Sequence, residues 1–162
     1  MTVVSGTGAA HMFGISEMQF SSAQNHAGRA PHAQIFDRDE ASRRLVDMRI
    51  LLAEDEIFVS MALEAELTAE GAEIIGPVMT LAQGIELIDS GVEMDGAILD
   101  VNLGDTLVFP LAEMLRDRGI PIIFHTALGE REEFTRDFPE ASVCVKPTLP
   151  QELIGQAAAR FG

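Results

Sequence analysis

Six polar residues that could do chemistry together stand at or soon after the ends of apolar runs in this chain. They are Glu54, Asp55, Asp100, Asn102, Thr126 and Lys146. Three crowded carboxylates repel one another, which raises the pKa of at least one of them unless a cation lies close by. Oxygen ligands of this kind suit Mg²⁺. A carboxylate held by Mg²⁺ and an ammonium can attack a phosphoryl group to form an acyl phosphate. The set therefore predicts phosphoryl transfer, in which a hydroxyl helps to hold the phosphoryl oxygens.

Lys146 is the single lysine among 162 residues, and the other ten basic residues are arginines. An ammonium is a compact point charge with three donors, which suits it to grip a phosphate or carboxylate oxygen. A genome biased towards arginine would also leave a lone lysine without any role. The residues near Lys146 in space decide between these two interpretations.

The segments that would position these residues alternate between strands and helices from residue 48 onward. Short apolar runs predict five strands, at 50–53, 74–75, 96–99, 121–124 and 141–145. Composition and apolar spacing predict five helices, at 58–70, at 80–88, between Asp100 and about residue 118, at 128–138 and at 150–160. Five β-α repeats predict an α/β fold, a doubly wound parallel sheet with helices on both faces. Function in such sheets lies outside the carboxyl ends of the strands.

Several element boundaries can be predicted from single residues. Gly71 is expected to end the first helix, and Thr80 to cap the second. Pro110 is tolerated near the start of the third helix. The pair Gly76-Pro77 is expected to stop the second strand. Cys144 lies in an apolar run, so we expect a buried small hydrophobe rather than a reactive thiol.

Composition excludes several classes of partner. The net charge of −15 argues against direct binding to DNA or to an anionic membrane surface, both of which require a basic footprint. A single cysteine rules out an internal disulfide and fits a reducing compartment. No apolar stretch approaches the length that spans a bilayer, and the N-terminus does not resemble a signal peptide. We therefore expect a cytoplasmic protein.

The chain divides near residue 47. Residues 1–47 are poor in branched aliphatic residues and show no sustained period, so we expect a low-structure N-terminal extension. Residues 48–162 form the predicted folded domain, and no output domain is expected after it. The string Met48-Arg49-Ile50 would also be a natural start of such a domain, so residues 1–47 are either a disordered arm or the product of a mispredicted start codon.

Four strings in residues 48–162 together resemble the receiver domain of two-component response regulators. They are Leu-Leu-Ala-Glu-Asp-Glu (51–56), Ala-Ile-Leu-Asp-Val-Asn-Leu (97–103), Phe-His-Thr-Ala (124–127) and Val-Lys-Pro (145–147). Any one of them alone is a weak signal, but the four together are quite specific. The resemblance implies a flavodoxin-like sheet with strand order 2-1-3-4-5.

The resemblance also implies a role for each polar residue. Asp100 would be the phosphoacceptor, Thr126 the switch hydroxyl and Lys146 the partner of the phosphoryl group. The Mg²⁺ ligands would be Glu54, acting through water, Asp55, Asp100 and the backbone carbonyl of Asn102. Pro147 would match the lysine-proline pair of the family, which often has a cis bond.

Three features depart from the family pattern. Val143 stands where an aromatic residue usually reports phosphorylation, so the signal is expected to leave by another route. Gly104-Asp105-Thr106 replaces the usual proline after the metal-binding loop and is expected to be more flexible. The predicted helix at 128–138 is short and charged, so it is expected to be poorly formed or displaced.

The implied function is that of a single-domain response regulator. It would accept a phosphoryl group from a histidine kinase or phosphotransfer protein, then signal by protein contact or act as a phosphate sink. It would not be an enzyme acting on another substrate. Small Ala127 should leave room for water, so the acyl phosphate is not expected to be unusually long-lived. One alternative is a binding module with vestigial phosphorylation. Another is a Mg²⁺-dependent phosphohydrolase, which is disfavoured because Asn102 stands where such enzymes carry a second aspartate.

Overall fold

The computed structural model describes residues 43–127 and 136–162. The strands are β1 (Arg49–Ala53), β2 (Glu73–Val78), β3 (Gly96–Leu99), β4 (Asn102–Leu103), β5 (Thr106–Leu107), β6 (Ile122–Thr126) and β7 (Ser142–Val145). Five of them form a parallel sheet in the order β2-β1-β3-β6-β7. When the small β4-β5 hairpin is left out of the count, this is the predicted order 2-1-3-4-5. The predicted flavodoxin-like fold is confirmed.

Four helices are described, and they connect or follow the strands. They are α1 (Ile57–Ala69), α2 (Leu81–Asp89), α3 (Phe109–Asp117) and α4 (Pro150–Phe161). The Thr80 hydroxyl accepts a hydrogen bond from the Gln83 amide at 3.3 Å, so it caps α2 as predicted. Gly71 follows α1 with φ +97, which confirms it as the residue that ends this helix. Most of the helix predicted at 128–138 lies outside the described residues.

The core lies on both faces of the sheet because successive strand residues point to opposite sides. On one face, Leu99 and Phe124 pack against Leu111 of α3. On the other face, Ile98 and Ile123 belong to a second cluster. Its members from the helices are Leu63 and Leu67 of α1 and Leu153, Ile154, Ala157 and Phe161 of α4. The continuous apolar runs of β1, β3 and β6 follow from burial on both sides.

Residues ahead of β1 also pack on the domain. Leu45, which the sequence analysis assigned to the extension, is fully buried. Its amide donates to the carbonyl of Glu70 at 3.0 Å, and the amide of Arg44 donates to the Glu70 carboxylate at 3.2 Å. Leu45 therefore contributes to the core cluster that α1 covers. Residues 1–42 of the predicted extension lie outside the described part of the chain.

The prediction that Gly76-Pro77 stops the second strand was wrong. Strand β2 runs through this pair to Val78, and the Gly76–Pro77 peptide is cis. The register with β1 shifts between Leu51 and Ala53, and Gly76 has φ +105. A proline is tolerated here because β2 is an edge strand and the irregularity in register leaves one position out of the ladder.

The structure also corrects the region after Asp100, where a helix was predicted directly. A two-stranded antiparallel hairpin comes first, with Asn102 opposite Leu107 and Leu103 opposite Thr106. Gly104 occupies its turn at φ +66, a conformation that glycine adopts without steric cost. Helix α3 begins only at Phe109, with Pro110 in its first turn. Four residues are too short a ladder to leave a clear alternating pattern in the sequence.

None of the helices formed by residues 43–127 and 136–162 has the length and apolar character needed to cross a bilayer.

Candidate functional site

The site lies at the carboxyl edge of the parallel sheet. Glu54, Asp100 and Lys146 each stand one residue beyond the end of a strand, namely β1, β3 and β7. Thr126 is the last residue of β6. Because all these strands run in the same direction, their ends meet at one edge, and residues up to 92 positions apart in sequence come into contact.

Lys146 joins two of the carboxylates. Its Nζ lies 2.6 Å from Oδ2 of Asp100, and 2.8 Å and 3.1 Å from the two carboxylate oxygens of Glu54. A third acid, Glu56, is 3.8 Å away at the exposed rim. These contacts decide the question that the sequence left open, because the lone lysine is the bridge between Asp100 and Glu54.

The site is largely removed from water. Glu54 is 1% exposed and Asp100 8%, while the Lys146 side chain keeps 19% of its surface. Burial opposes the charge of each group, and the two carboxylates repel each other. One ammonium between two buried carboxylates leaves the three groups with a net negative charge, so the site favours a second cation.

The pKa values of Glu54 and Asp100 shift in opposite directions from their ordinary values. For Glu54, burial acts to raise the pKa, but His125, Lys146 and the amide of Glu56 together lower it below its ordinary value. His125 Nδ1 lies 3.8 Å from Oε2, beyond hydrogen-bond distance, so we ascribe the lowering chiefly to the ammonium. For Asp100, burial and the nearby charge of Glu54 outweigh Lys146 and raise the pKa.

Lys146 is more basic than an ordinary lysine. Burial acts to lower its pKa, but the carboxylates of Asp100 and Glu54 outweigh this effect and raise it above the ordinary 10.5. The ammonium is therefore charged throughout the physiological pH range. The raised pKa of Asp100 means that its carboxylate, once ionised, is more basic than that of an ordinary aspartate.

Asp55 adds a third carboxylate and ties the site to the hairpin. Its Oδ2 accepts a hydrogen bond from the amide of Gly104 at 2.9 Å. Oxygen atoms of Glu54, Asp55 and Asp100 all lie within 4.8 Å of one another. A hard cation takes several oxygen ligands, so the donor set fits Mg²⁺.

The remaining predicted residues, Thr126 and Asn102, also reach this edge. The carbonyl of Thr126 accepts the amide of Lys146 at 2.7 Å, and Thr126 is fully buried. The amide of Asn102 donates to Oδ1 of Asp100 at 3.2 Å. Each oxygen of Asp100 therefore already has one donor. The predicted metal contact of the Asn102 carbonyl stays a prediction.

No family model matches the chain. Among curated proteins it is 32% identical over 118 residues to the phyllosphere-induced regulator PhyR of Methylorubrum extorquens, covering 69% of this chain and 44% of that protein. It is also 32% identical over 112 residues to the transcriptional regulatory protein PdtaR of Mycobacterium tuberculosis, covering 67% of this chain and 54% of that protein. The chain thus spans about half the length of the curated relatives it matches.

One solved structure matches this chain over nearly the whole of its own length. The crystal structure of a response regulator receiver protein from Sinorhizobium medicae superposes with a TM-score of 0.61 at 25% identity, and the match covers 70% of this chain and 95% of that one. This chain belongs to the response regulator receiver domains. The four strings that suggested the family are the ones that build the carboxyl edge of this receiver domain.

Sequence reasoning missed one residue of the site, His125. It is 5% exposed, and its Nδ1 lies 3.8 Å from Glu54 Oε2. A signal was present, because an imidazole interrupts the apolar strand between Phe124 and Thr126. Sequence alone did not show that His125 would face Glu54, a residue on the other side of β3.

Val143 of this receiver domain pairs with Phe124 in the β6-β7 register, and it is partly buried against the cluster that contains Phe124. Three rings lie in that cluster: Phe124 meets Phe138 edge to face at 5.5 Å, and Phe109 stacks on Phe138 at 6.1 Å. An aliphatic side chain therefore occupies the position that the family usually gives to an aromatic ring. The aromatic rings nearby come from other elements.

A cavity of about 530 Å³ lies away from this edge. Its lining includes Pro121 and Ala141, which come just before β6 and β7, so it opens at the opposite end of the sheet from Lys146. None of the polar residues of the site lines it. The cavity is therefore separate from the predicted site at the carboxyl edge.

Proposed function

We propose that this receiver domain accepts a phosphoryl group on Asp100 from a histidine kinase or phosphotransfer protein, and that it then signals by protein contact or stores the phosphoryl group. The observation that carries the proposal is the contact of Lys146 with both Asp100 and Glu54 beside Asp55. The relatives PhyR and PdtaR are named as regulators, which supports a regulatory role.

The transfer step requires little of the protein beyond a positioned nucleophile. A carboxylate oxygen of Asp100 forms the bond to phosphorus while the bond from phosphorus to the donor nitrogen breaks, and the electron pair leaves with that nitrogen. The raised pKa of Asp100 makes its carboxylate a stronger nucleophile once it is ionised. Lys146 lies 2.6 Å from Oδ2, in position to hold the oxygens that the phosphoryl group brings.

Mg²⁺ would be held by Glu54, Asp55 and Asp100, with the carbonyl of Asn102 as a further ligand. When bound, it would supply positive charge to neutralise the phosphoryl oxygens. Gly104 orients Asp55 for this task by the hydrogen bond to Oδ2. A hydrogen bond that fixes a metal-binding carboxylate in place typically strengthens metal binding.

Thr126 and Lys146 would move the signal away from Asp100. The hydrogen bond between the Lys146 amide and the Thr126 carbonyl couples the ends of β6 and β7. A displacement of either residue toward the phosphoryl group is therefore shared by both strands. Val143 would transmit it by packing rather than by rotation of an aromatic ring.

Two alternatives are separated from this proposal by chemistry. A phosphohydrolase would need a second carboxylic acid two residues after Asp100, and an amide at Asn102 cannot donate a proton in that way. A binding module with vestigial phosphorylation is favoured by Val143 and by the weak helix predicted at 128–138, most of which lies outside the described residues. It predicts that a phosphoryl mimic leaves the structure unchanged.

The decisive experiment is incubation with Mg²⁺ and a small acyl phosphate donor, followed by intact-mass spectrometry. The wild-type protein is expected to gain one phosphoryl group and Asp100→Asn none. Asp105→Asn is the matched control, since this exposed acid of the hairpin lies near the site without any assigned role. A wild-type protein that gains no phosphoryl group, or equal labelling of Asp100→Asn, contradicts the proposed function.

A further inference from the structure

His125 is a buried imidazole with an incomplete set of hydrogen bonds. Its side chain is 6% exposed, and its Nδ1 has no hydrogen-bond partner among the residues that the structure describes. The acidic oxygen that faces this nitrogen is Oε2 of Glu54, at 3.8 Å. A buried polar atom without a partner costs free energy, so the arrangement calls for a state in which this nitrogen is paired.

The sheet register explains why these two residues face each other. Ala53, Leu99, Phe124 and Val143 form one row across β1, β3, β6 and β7. The next row toward the carboxyl edge holds Glu54, Asp100, His125 and Cys144. Residues in one row of a parallel sheet share a face. The imidazole is therefore fixed by the strand on the same side as the carboxylates that Lys146 joins.

The proposed reaction would change the hydrogen-bond partners of the Glu54 carboxylate. In the unphosphorylated protein its carboxylate is held by Lys146 at 2.8 Å and 3.1 Å. A phosphoryl group on Asp100 brings additional anionic oxygens to the same ammonium. If Lys146 turns toward them, Glu54, which is 1% exposed, loses the ammonium that contacts both of its oxygens while it remains buried. A buried acceptor oxygen that has lost its donor costs free energy.

We propose that His125 is a positioning residue that replaces Lys146 as the hydrogen-bond donor to Glu54 during phosphorylation of Asp100. It donates Nδ1–H to Oε2 when Lys146 moves to the phosphoryl group, and so it holds the Glu54 carboxylate in place. Closing the gap from 3.8 Å to hydrogen-bond length requires a movement of only about 1 Å. A neutral imidazole with its proton on Nδ1 is sufficient. The inference rests on the proposed function of Asp100 and assigns a regulatory partner to Glu54 within that site.

Two substitutions separate the donor from the shape of the ring. His125→Phe keeps an aromatic ring of similar size but removes the donor, whereas His125→Asn keeps an amide donor close to the position of Nδ1. With a small acyl phosphate donor and Mg²⁺, phosphorylation of His125→Phe is expected to be about tenfold slower than wild type, since a hydrogen bond to a charged group is lost. His125→Asn is expected to stay within about threefold of wild type, because its donor can still reach Glu54.

A spectroscopic readout on the wild-type protein does not depend on whether a variant folds. Nitrogen-15 spectra of the His125 imidazole are recorded with Mg²⁺ before and after addition of beryllofluoride, a mimic of the phosphoryl group. The Nδ1 resonance is expected to move to that of a protonated, hydrogen-bonded nitrogen, and Asp100→Asn is expected to show no such change.

The outcomes distinguish the inference from the proposed function. If the wild type is phosphorylated but the Nδ1 resonance stays unchanged, the role of His125 is wrong and the proposed function stands. The same conclusion follows if folded His125→Phe is phosphorylated as fast as wild type, or if His125→Asn is no faster than His125→Phe. If the wild type gains no phosphoryl group at all, both ideas fail together.

Discussion

The ammonium of Lys146 lies 2.6 Å from Oδ2 of Asp100, although 46 residues and one intervening strand separate them. Strand β6 lies between β3, which precedes Asp100, and β7, which precedes Lys146. The lysine stem must therefore cross the end of β6 to reach Asp100, and it reaches Glu54 beyond β3 as well. A long side chain with a compact charged end satisfies all of these contacts at once.

Replacement of Lys146 tests this geometry. The broad planar guanidinium of Lys146→Arg cannot place one nitrogen between two carboxylates as closely as Nζ does. We expect Lys146→Arg to slow phosphorylation by about tenfold, and Lys146→Met, which removes the charge that meets the developing phosphoryl anion, by about 100-fold. Arg118→Lys, the reverse exchange at an exposed ion pair, should have no effect. Wild-type rates for Lys146→Arg would show that charge alone is sufficient.

Mg²⁺ should stabilise the folded protein through Asp55. A ligand present at ten times its Kd and bound only to the native state adds about 1.4 kcal/mol to the free energy of unfolding. We expect Tm to rise with Mg²⁺ in the wild type and to stay flat in Asp55→Asn. Asp117→Asn, which lies at the end of α3, should respond as the wild type does. An equal rise in Asp55→Asn would remove Asp55 from the metal site.

Gly104 and Gly119 form a matched pair for testing the hairpin. Both have positive φ, +66 and +72, and a Cβ at either position would meet no atom within 4 Å. Each alanine substitution should therefore cost a similar amount of stability, about 1 kcal/mol from the left-handed backbone. Only the Gly104 amide holds Asp55. Gly104→Ala, but not Gly119→Ala, is expected to weaken Mg²⁺ binding by about tenfold, measured by the Mg²⁺ dependence of Tm.

Cys144 should be an unreactive thiol. Burial, helped by the charge of Glu152 and opposed by the hydroxyl of Thr148, raises its pKa above the ordinary 9.0. Less thiolate is present at pH 8 than in a free thiol, so alkylation by iodoacetamide should be at least about tenfold slower in the folded than in the urea-unfolded protein. Because the raised pKa favours the thiol in the folded state, its contribution to stability is present below pH 9.0 and is lost as the pH rises through the folded pKa. Equal alkylation rates at pH 8 would contradict this.

Alanine substitutions at two glycines should change the free energy of unfolding in opposite directions. A methyl group on Gly96 of β3 would run into the ring of Phe161, which is 9% exposed. Gly96→Ala is therefore expected to lower the free energy of unfolding by about 1–3 kcal/mol. At Gly155, inside α4, the nearest atom would be Arg44 Nη1 at 3.8 Å. Gly155→Ala should raise the free energy of unfolding by about 0.5–1 kcal/mol through its higher helix propensity. Urea denaturation measures both changes.

The sequence predicted the parts of the fold that local pattern controls. Strand β3 has the predicted bounds, and Gly71 and Thr80 end and begin their helices as expected. Prediction from the sequence was wrong at two places where pairing between strands determines the structure. The edge strand β2 continues through Gly76-Pro77 because its pairing with β1 shifts register, and the hairpin at Gly104 forms where a helix was expected.

The site shows the same division. Residue type and position after each strand determined that Asp100, Glu54 and Lys146 would meet, because strand direction alone brings their ends to one edge. Only the tertiary structure decided which atoms pair: Lys146 bridges two carboxylates, Gly104 holds Asp55, and His125 faces Glu54 across β3. The reason is physical. Strand order and register set these distances, and both arise from packing between segments far apart in the chain, which no local pattern of residues records.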